Sequence, residues 1–188
     1  MGLIIFLAIF ALILVWGIFV RNNIVRYFNA TRRAWAEVAN FERQKIKTLE
    51  SLESTLQQYT QFEKSTLEKV TELRQQILNL NMQETDVSRL QHIESLSKDL
   101  MKNLSVVVEN YPELKADTLY AKMMDDIQEQ NENVGAAISI FNRNVEAFNN
   151  NIQIFPNNLV NSVTLSKKII RPFSDSSAMQ NFDYRPNF

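Results

Sequence analysis

Between Arg21 and Leu80 the chain contains neither Pro nor Gly. Nothing in that interval breaks a helix through a missing N–H or an over-permissive backbone. Apolar residues recur there at an alternating spacing of three and four: Ile24, Phe28, Trp35, Val38, Leu49, Leu52, Leu56, Tyr59, Val70, Leu73, Ile77 and Leu80. That spacing predicts a single apolar stripe on one very long first helix. Thr31, Glu42, Lys45, Glu63 and Thr66 interrupt the stripe, with Phe41, Ile46, Phe62 and Leu67 beside them, so the apolar face drifts around the helix axis. Glu63 and Thr66 fit two readings: a polar pair that fixes register or partner choice in a seam, or a stretch where the helix faces water. With only 3 Gly and 4 Pro in 188 residues, turns are few and an all-α fold is expected.

Immediately before this interval lies LIIFLAIFALILVWGIFV, Leu3–Val20, without a charged side chain. As a helix it is about 27 Å long, against a bilayer core of roughly 30 Å. A cleaved signal peptide needs a basic leading region and a small-residue cleavage site. The side chains before Leu3 carry no charge, and RNNIVRYF follows Val20, so a retained transmembrane anchor is the expectation. Arg21, Arg26, Arg32 and Arg33 follow closely, and the positive-inside rule then puts the N-terminus outside and the rest in the cytoplasm. Trp16 sits one turn before Arg21, where an interfacial indole belongs. No breaker separates this span from the stripe, so the two are expected to run on as one helix.

NLNMQETD, residues 79–86, reads as a turn with an N-cap at Thr85 or Asp86. A second helix follows with Val87, Leu90, Ile93, Leu96, Leu100, Leu104 and Val107, and Asn110-Tyr111-Pro112 ends it. Asp117 caps a third helix running to Phe155, where Pro156 stops it. Its later half is the most regular heptad: Val134, Ile138, Phe141, Val145, Phe148, Ile152 and Phe155. A short fourth helix is expected at 158–165, with a tail beyond. Short connections favour antiparallel neighbours, so the organisation read from the sequence is an anchor (1–20), a helical bundle (21–160) and a C-terminal tail (161–188).

Asparagine crowds the third helix although it is a poor helix former. Asn142, Asn144, Asn149 and Asn151 flank the Phe/Val/Ile seam, and Asn131 falls on it. Each buried Phe or Ile contributes on the order of 1.5–3 kcal/mol, against at most about 0.7 kcal/mol lost per Asn. The flanking carboxamides form either a neutral hydrogen-bonding interface for a partner or a merely solvated face.

Reactive constellations are sparse. Net charge is −1, so no field over the whole protein draws nucleic acid. The absence of Cys excludes disulfides, thiolate metal sites and Cys nucleophiles. His92 is the single His and lacks a partner set for zinc or catalysis. Asp125, Asp126, Glu129 and Glu132 crowd one stretch, but a di-metal bundle needs two Glu-x-x-His pairs, so a solvated acidic face is expected. Neither a phosphate-binding glycine loop nor a nucleophile elbow is present. Lys167, Lys168 and Arg171, interleaved with Ile169, Ile170 and Phe173, form a small basic–apolar patch suited to a headgroup surface or a partner. The expectation is a non-enzyme with no catalytic residue, cofactor, metal, nucleic acid or small-molecule substrate.

YTQFEKSTLEKVTELR (59–74), VVVENYPELKAD (106–117), FNRNVEAFNNNIQIFPNNL (141–159) and the Ala34-Trp35 pair resemble the LemA family of bacterial membrane proteins. The resemblance runs in order over most of residues 24–160. It implies an N-terminal membrane helix, an antiparallel helical bundle in the cytoplasm, and no catalytic residues to carry over. Where the family has a Pro-Asn-Leu-Val-like stretch this chain reads LESLESTL, implying a straighter first helix. Phe62 replaces a His, and a longer Asn- and Ser-containing tail replaces a Phe-Lys-Pro-Arg-Pro-like ending.

The functional expectation is a membrane-anchored, cytoplasm-facing scaffold or interaction protein that self-assembles at the bacterial inner membrane. The alternative is an adaptor or accessory subunit of a membrane protease or signalling complex. A first helix of about 90 Å outruns a second of about 36 Å. Its membrane-proximal part is therefore expected to lack cover within the chain, leaving Trp35, Val38 and Phe41 for a second copy, with Asn142 and Asn149 as further self-association residues.

Overall fold

The computed structural model describes residues 1–58 and 64–174, and the backbone but not the side chain of Lys115. Tyr59, Phe62 and Glu63, named above, and residues 175–188 of the tail lie outside the described residues. The described residues form α1 (Gly2–Gln58), α2 (Lys64–Leu78), α3 (Val87–Asn110), α4 (Pro112–Lys115), α5 (Thr118–Gln153) and α6 (Asn157–Thr164), with no strand among them. The all-α architecture is as read from the sequence, and the apolar run and the first bundle helix are one element. LESLESTL lies within α1, which is unbroken there.

The expected single helix from Arg21 to Leu80 is corrected. α2 is a separate helix that runs back along α1. Arg74 on α2 reaches two carboxylates on α1, Glu50 at 2.6 Å and Glu53. Thr71 donates to Glu53, Arg43 donates to the Leu80 carbonyl at 3.3 Å, and Trp35 Nε1–H donates to the Asn81 carbonyl at 2.8 Å. As one partner's number falls the other's rises, which is the signature of an antiparallel hairpin.

The chain divides into two compact units, and α1 and α5 contribute to both. The bundle unit holds residues 35–139 with Phe173 and Ser174. Asp86 starts α3 by accepting the Arg89 N–H at 3.0 Å, satisfying one of the orphan donors of the first turn. α4, with Pro at its start, connects α3 to α5. Asp117 caps α5 through the N–H groups of Leu119 and Tyr120. α5 pairs with α1 through Gln130 and Thr48 (3.1 Å) and with α3 through Ser97 and Asn131 (3.4 Å). The result is an up-down-up-down bundle, as short connections favour. Leu49, Leu52 and Leu56 of α1, Val70, Leu73 and Ile77 of α2, Leu90 and Ile93 of α3, and Met123 and Ile127 of α5 are buried in it.

The anchor unit holds residues 1–34 and 140–172. Its core is Val20 and Ile24 of α1 with Phe148 and Ile152 of α5, joined by Phe28, Val160, Leu165 and Ile170. The Phe28 and Phe148 rings lie 5.5 Å apart in a tilted pair, a geometry aromatic quadrupoles favour. The buried Thr31 hydroxyl shares its proton between the Tyr27 and Asn144 carbonyls, each at 3.1 Å. α5 ends at Gln153, two residues earlier than expected, so Phe155 leaves the seam and is 76% exposed. The Phe155-Pro156 peptide bond is cis, and α6 follows at once.

Candidate functional site

The surface of the anchor unit is set by α1. From Leu3 to Phe19 its large apolar side chains are exposed, among them Phe6, Phe10 and Phe19. A water-facing helix rarely carries an apolar surface this continuous. The helix holds a stretch long and apolar enough to cross a membrane. Trp16 is also exposed, and Arg21, Arg26, Arg32 and Arg33 are exposed beyond the apolar run. Indole, then guanidinium, is the order in which side chains meet a bilayer boundary.

The C-terminal segment of this unit is held by asparagine. Asn149 donates to the Ile170 carbonyl at 2.8 Å and accepts the Ile170 N–H at 2.9 Å. Asn161, itself buried, does the same to Lys167, at 2.9 and 3.0 Å. A carboxamide matches a peptide group in donor and acceptor, so each Asn acts as a one-residue strand partner for a segment without regular structure. Lys167 reaches back over the Phe28 ring, 3.7 Å from its centroid, a cation–π contact. Asn149, expected at an interface with another molecule, is thus used within the chain. Asn142 is half-buried and likewise has an interaction within the chain.

Trp35 and Val38 are fully buried and Phe41 is half-buried, so the expectation that this stretch lacks cover within the chain is overturned. The turn after α2 meets Trp35 through the Asn81 carbonyl, and α5 runs along this part of α1 from Gln130 at Thr48. Thr66 is buried too, which removes the water-facing reading for that position.

Two other interruptions of the stripe form a site that the spacing marked but did not explain. Glu42 and Lys45 are both buried, one turn apart on α1. The Lys45 ammonium lies 3.2 Å from Glu42 Oε1, to which it donates, and 3.0 Å from Oε2. Glu94 of α3 brings a second carboxylate to 3.9 Å from the same ammonium. One cation cannot neutralise two carboxylates. Burial, above all, pushes the Glu42 carboxyl up to about 7; Lys45 opposes this, while the Glu94 charge and a hydrogen bond to Glu94 add to it. The cluster is therefore a proton-holding centre inside the bundle. Its signal in the sequence was Glu42 and Lys45 on an apolar stripe; Glu94, beside the α3 stripe, gave none.

The other chemistry-bearing residues do not converge. His92 is exposed on α3, and Asp125, Glu129 and Glu132 are exposed on α5. Gln128 donates to Glu132 at 3.3 Å. Lys168 and Arg171 are exposed on either side of Ile170.

The family profile described as LemA family matches residues 34–180, most of the chain. The chain belongs to the LemA family. The LemA match starts at Ala34, so the apolar run lies outside it, while the hairpin, the YPELKA connection and the Asn-rich helix all lie inside. A protein named LemA from Metamycoplasma hominis is 28% identical over 122 residues, which is 65% of this chain and 54% of the relative. The chain thus matches about half the length of that curated relative.

Proposed function

We propose that this LemA-family chain is a non-catalytic interaction protein. The Leu3–Val20 part of α1 spans a bacterial inner membrane, and the bundle unit is presented in the cytoplasm. One observation carries the proposal: the exposed apolar run and the first helix of the bundle are a single element, α1. A chain built this way gives a folded helical surface a fixed address at a bilayer. The arginines after the span support the cytoplasmic orientation, since Lys and Arg collect on that side.

Self-association is part of the proposal, but its surface is no longer Trp35 and Val38. Among the described residues of the bundle unit, Leu78 and Val106 are large apolar side chains that stay exposed, and they supply the contact. Purification of the full chain in mild detergent, with mass measurement of the particles, tests this. Multiples of the chain mass support it. A monomer would remove self-association from the reading, and one stoichiometric foreign protein would replace it with an adaptor role.

A further inference from the structure

α6 raises a question that the anchor leaves open. It lies beside the last turns of the apolar run, and the two enclose a groove of about 370 Å³ lined by Ile13, Leu14, Trp16, Leu159, Val160 and Val163 among others. Val163 is 84% exposed and Leu159 56%, and just before the helix Phe155 is 76% exposed. Leu159 and Val163 thus present apolar surface side by side with Ile13, Leu14 and Trp16 of α1. α6 reads NNLVNSVT, without a charge. Each of its polar side chains is bonded to backbone: Asn157 donates to the Asn151 carbonyl, Asn158 accepts the Leu159 N–H, and Asn161 pairs with Lys167. Ser162 and Thr164 donate to carbonyls of Leu159 and Val160. Polar groups that enter a bilayer must be satisfied inside the protein, since no water is there to do it.

We propose that α6, with Ile154 and Phe155 before it, is a second membrane-contacting element. It lies in the bilayer interface beside the end of the span, and an acyl chain of a bilayer phospholipid fills the groove. This rests on the reading of Leu3–Val20 as the span. If Ile13–Ile18 lie in hydrocarbon, the groove they share with α6 opens into hydrocarbon as well, and a water-soluble partner has no route to it. The boundary charges agree. Arg21 lines the end of the groove, and exposed Lys168 and Arg171 flank Ile170, which packs with Val20 and Ile24. Cations at that level meet lipid phosphates.

The test uses the full chain in phosphatidylcholine–phosphatidylglycerol vesicles. The absence of Cys allows single-cysteine labelling with an environment-sensitive fluorophore. Val163→Cys and Phe155→Cys probe α6, Phe10→Cys probes the span, and Leu119→Cys probes an exposed site of the bundle unit. Lipids with bromine or nitroxide on the acyl chain are expected to quench the two α6 labels by at least about half as much as the Phe10 label, as burial roughly 5–10 Å into the headgroup–acyl boundary requires. The Leu119 label is expected to be unaffected. Quenching at Phe10 with water-like emission at Val163 and Phe155 would overturn the inference and leave the span standing. Absence of quenching at all three would overturn both. Label–label self-quenching at Val163 without lipid quenching would show that a second copy covers the face instead, and would also overturn it.

Discussion

Asn149 and Ile170 are joined by two hydrogen bonds, carboxamide N–H to carbonyl and peptide N–H to carboxamide oxygen, at 2.8 and 2.9 Å. The pair ties a segment of irregular chain to α5 and seats Ile170 against Val20, Ile24, Phe148 and Ile152. Asn149→Ala removes the partners of both the N–H and the carbonyl of Ile170. The expected cost is about 1–3 kcal/mol, mostly from leaving those backbone groups unsatisfied. Amide exchange at Ile170 should accelerate well before exchange in the bundle unit. Unchanged exchange would mean that Ile170 is held by packing alone.

The crowding of asparagine in FNRNVEAFNNNIQIFPNNL thus has an answer within the fold. Besides Asn149 and Asn161, Asn157 donates to the Asn151 carbonyl and Asn144 to the Ile140 carbonyl. Asn149 flanks the seam where the chain returns past it, whereas Asn144 and Asn157 bond carbonyls close by in the sequence.

A second expectation concerns pH. The Glu42 carboxyl stands at about 7 in the fold against 4.5 ordinarily, so between those values the folded chain holds a proton that the unfolded chain has released. The stability this proton supplies is complete below about 4.5 and is lost as pH rises through about 7, by the linkage of proton uptake to folding. At about 1.4 kcal/mol per unit, the loss is on the order of 3–4 kcal/mol. Glu42→Gln keeps the shape without the charge. Denaturation midpoints from pH 4.5 to 8 should fall for the wild type and stay nearly level for the variant. Parallel curves would show that Glu42 is ionised throughout.

A third expectation separates packing from assembly at the former self-association residues. Trp35→Ala should cost about 3–5 kcal/mol, the ordinary loss for a large aromatic in a packed core. Val38→Cys should react slowly with a maleimide in the folded protein, whereas Leu119→Cys should react at once. Rapid labelling at Val38 would show that this stretch is not covered within the chain.

Much of the fold was legible because most of its signals are local. Asp86 and Asp117 cap where their spacing placed them, and Pro112 and Pro156 fall where helices give way. The reversal between α1 and α2 was not legible. Neither Pro nor Gly marks it, and a stripe that continues in phase reads the same on one long helix as on two helices folded face to face. Trp35 was consequently placed on an open face although it sits in the core. The charge cluster was half legible, since two polar residues on an apolar stripe announce themselves. Its third member comes from α3, and only tertiary structure brings Glu94 to Lys45.

The claim on which the functional account rests is that α1 fixes the bundle to the cytoplasmic face of a membrane. Labelling of Leu119→Cys with a membrane-impermeant maleimide tests it most directly, comparing intact spheroplasts with inverted inner-membrane vesicles from the same cells. The account predicts that the protein stays with the membrane after alkaline carbonate extraction and that Leu119 is labelled only in the inverted vesicles. Labelling in intact spheroplasts would place the bundle outside, and release of the protein by carbonate would show that α1 does not cross the bilayer.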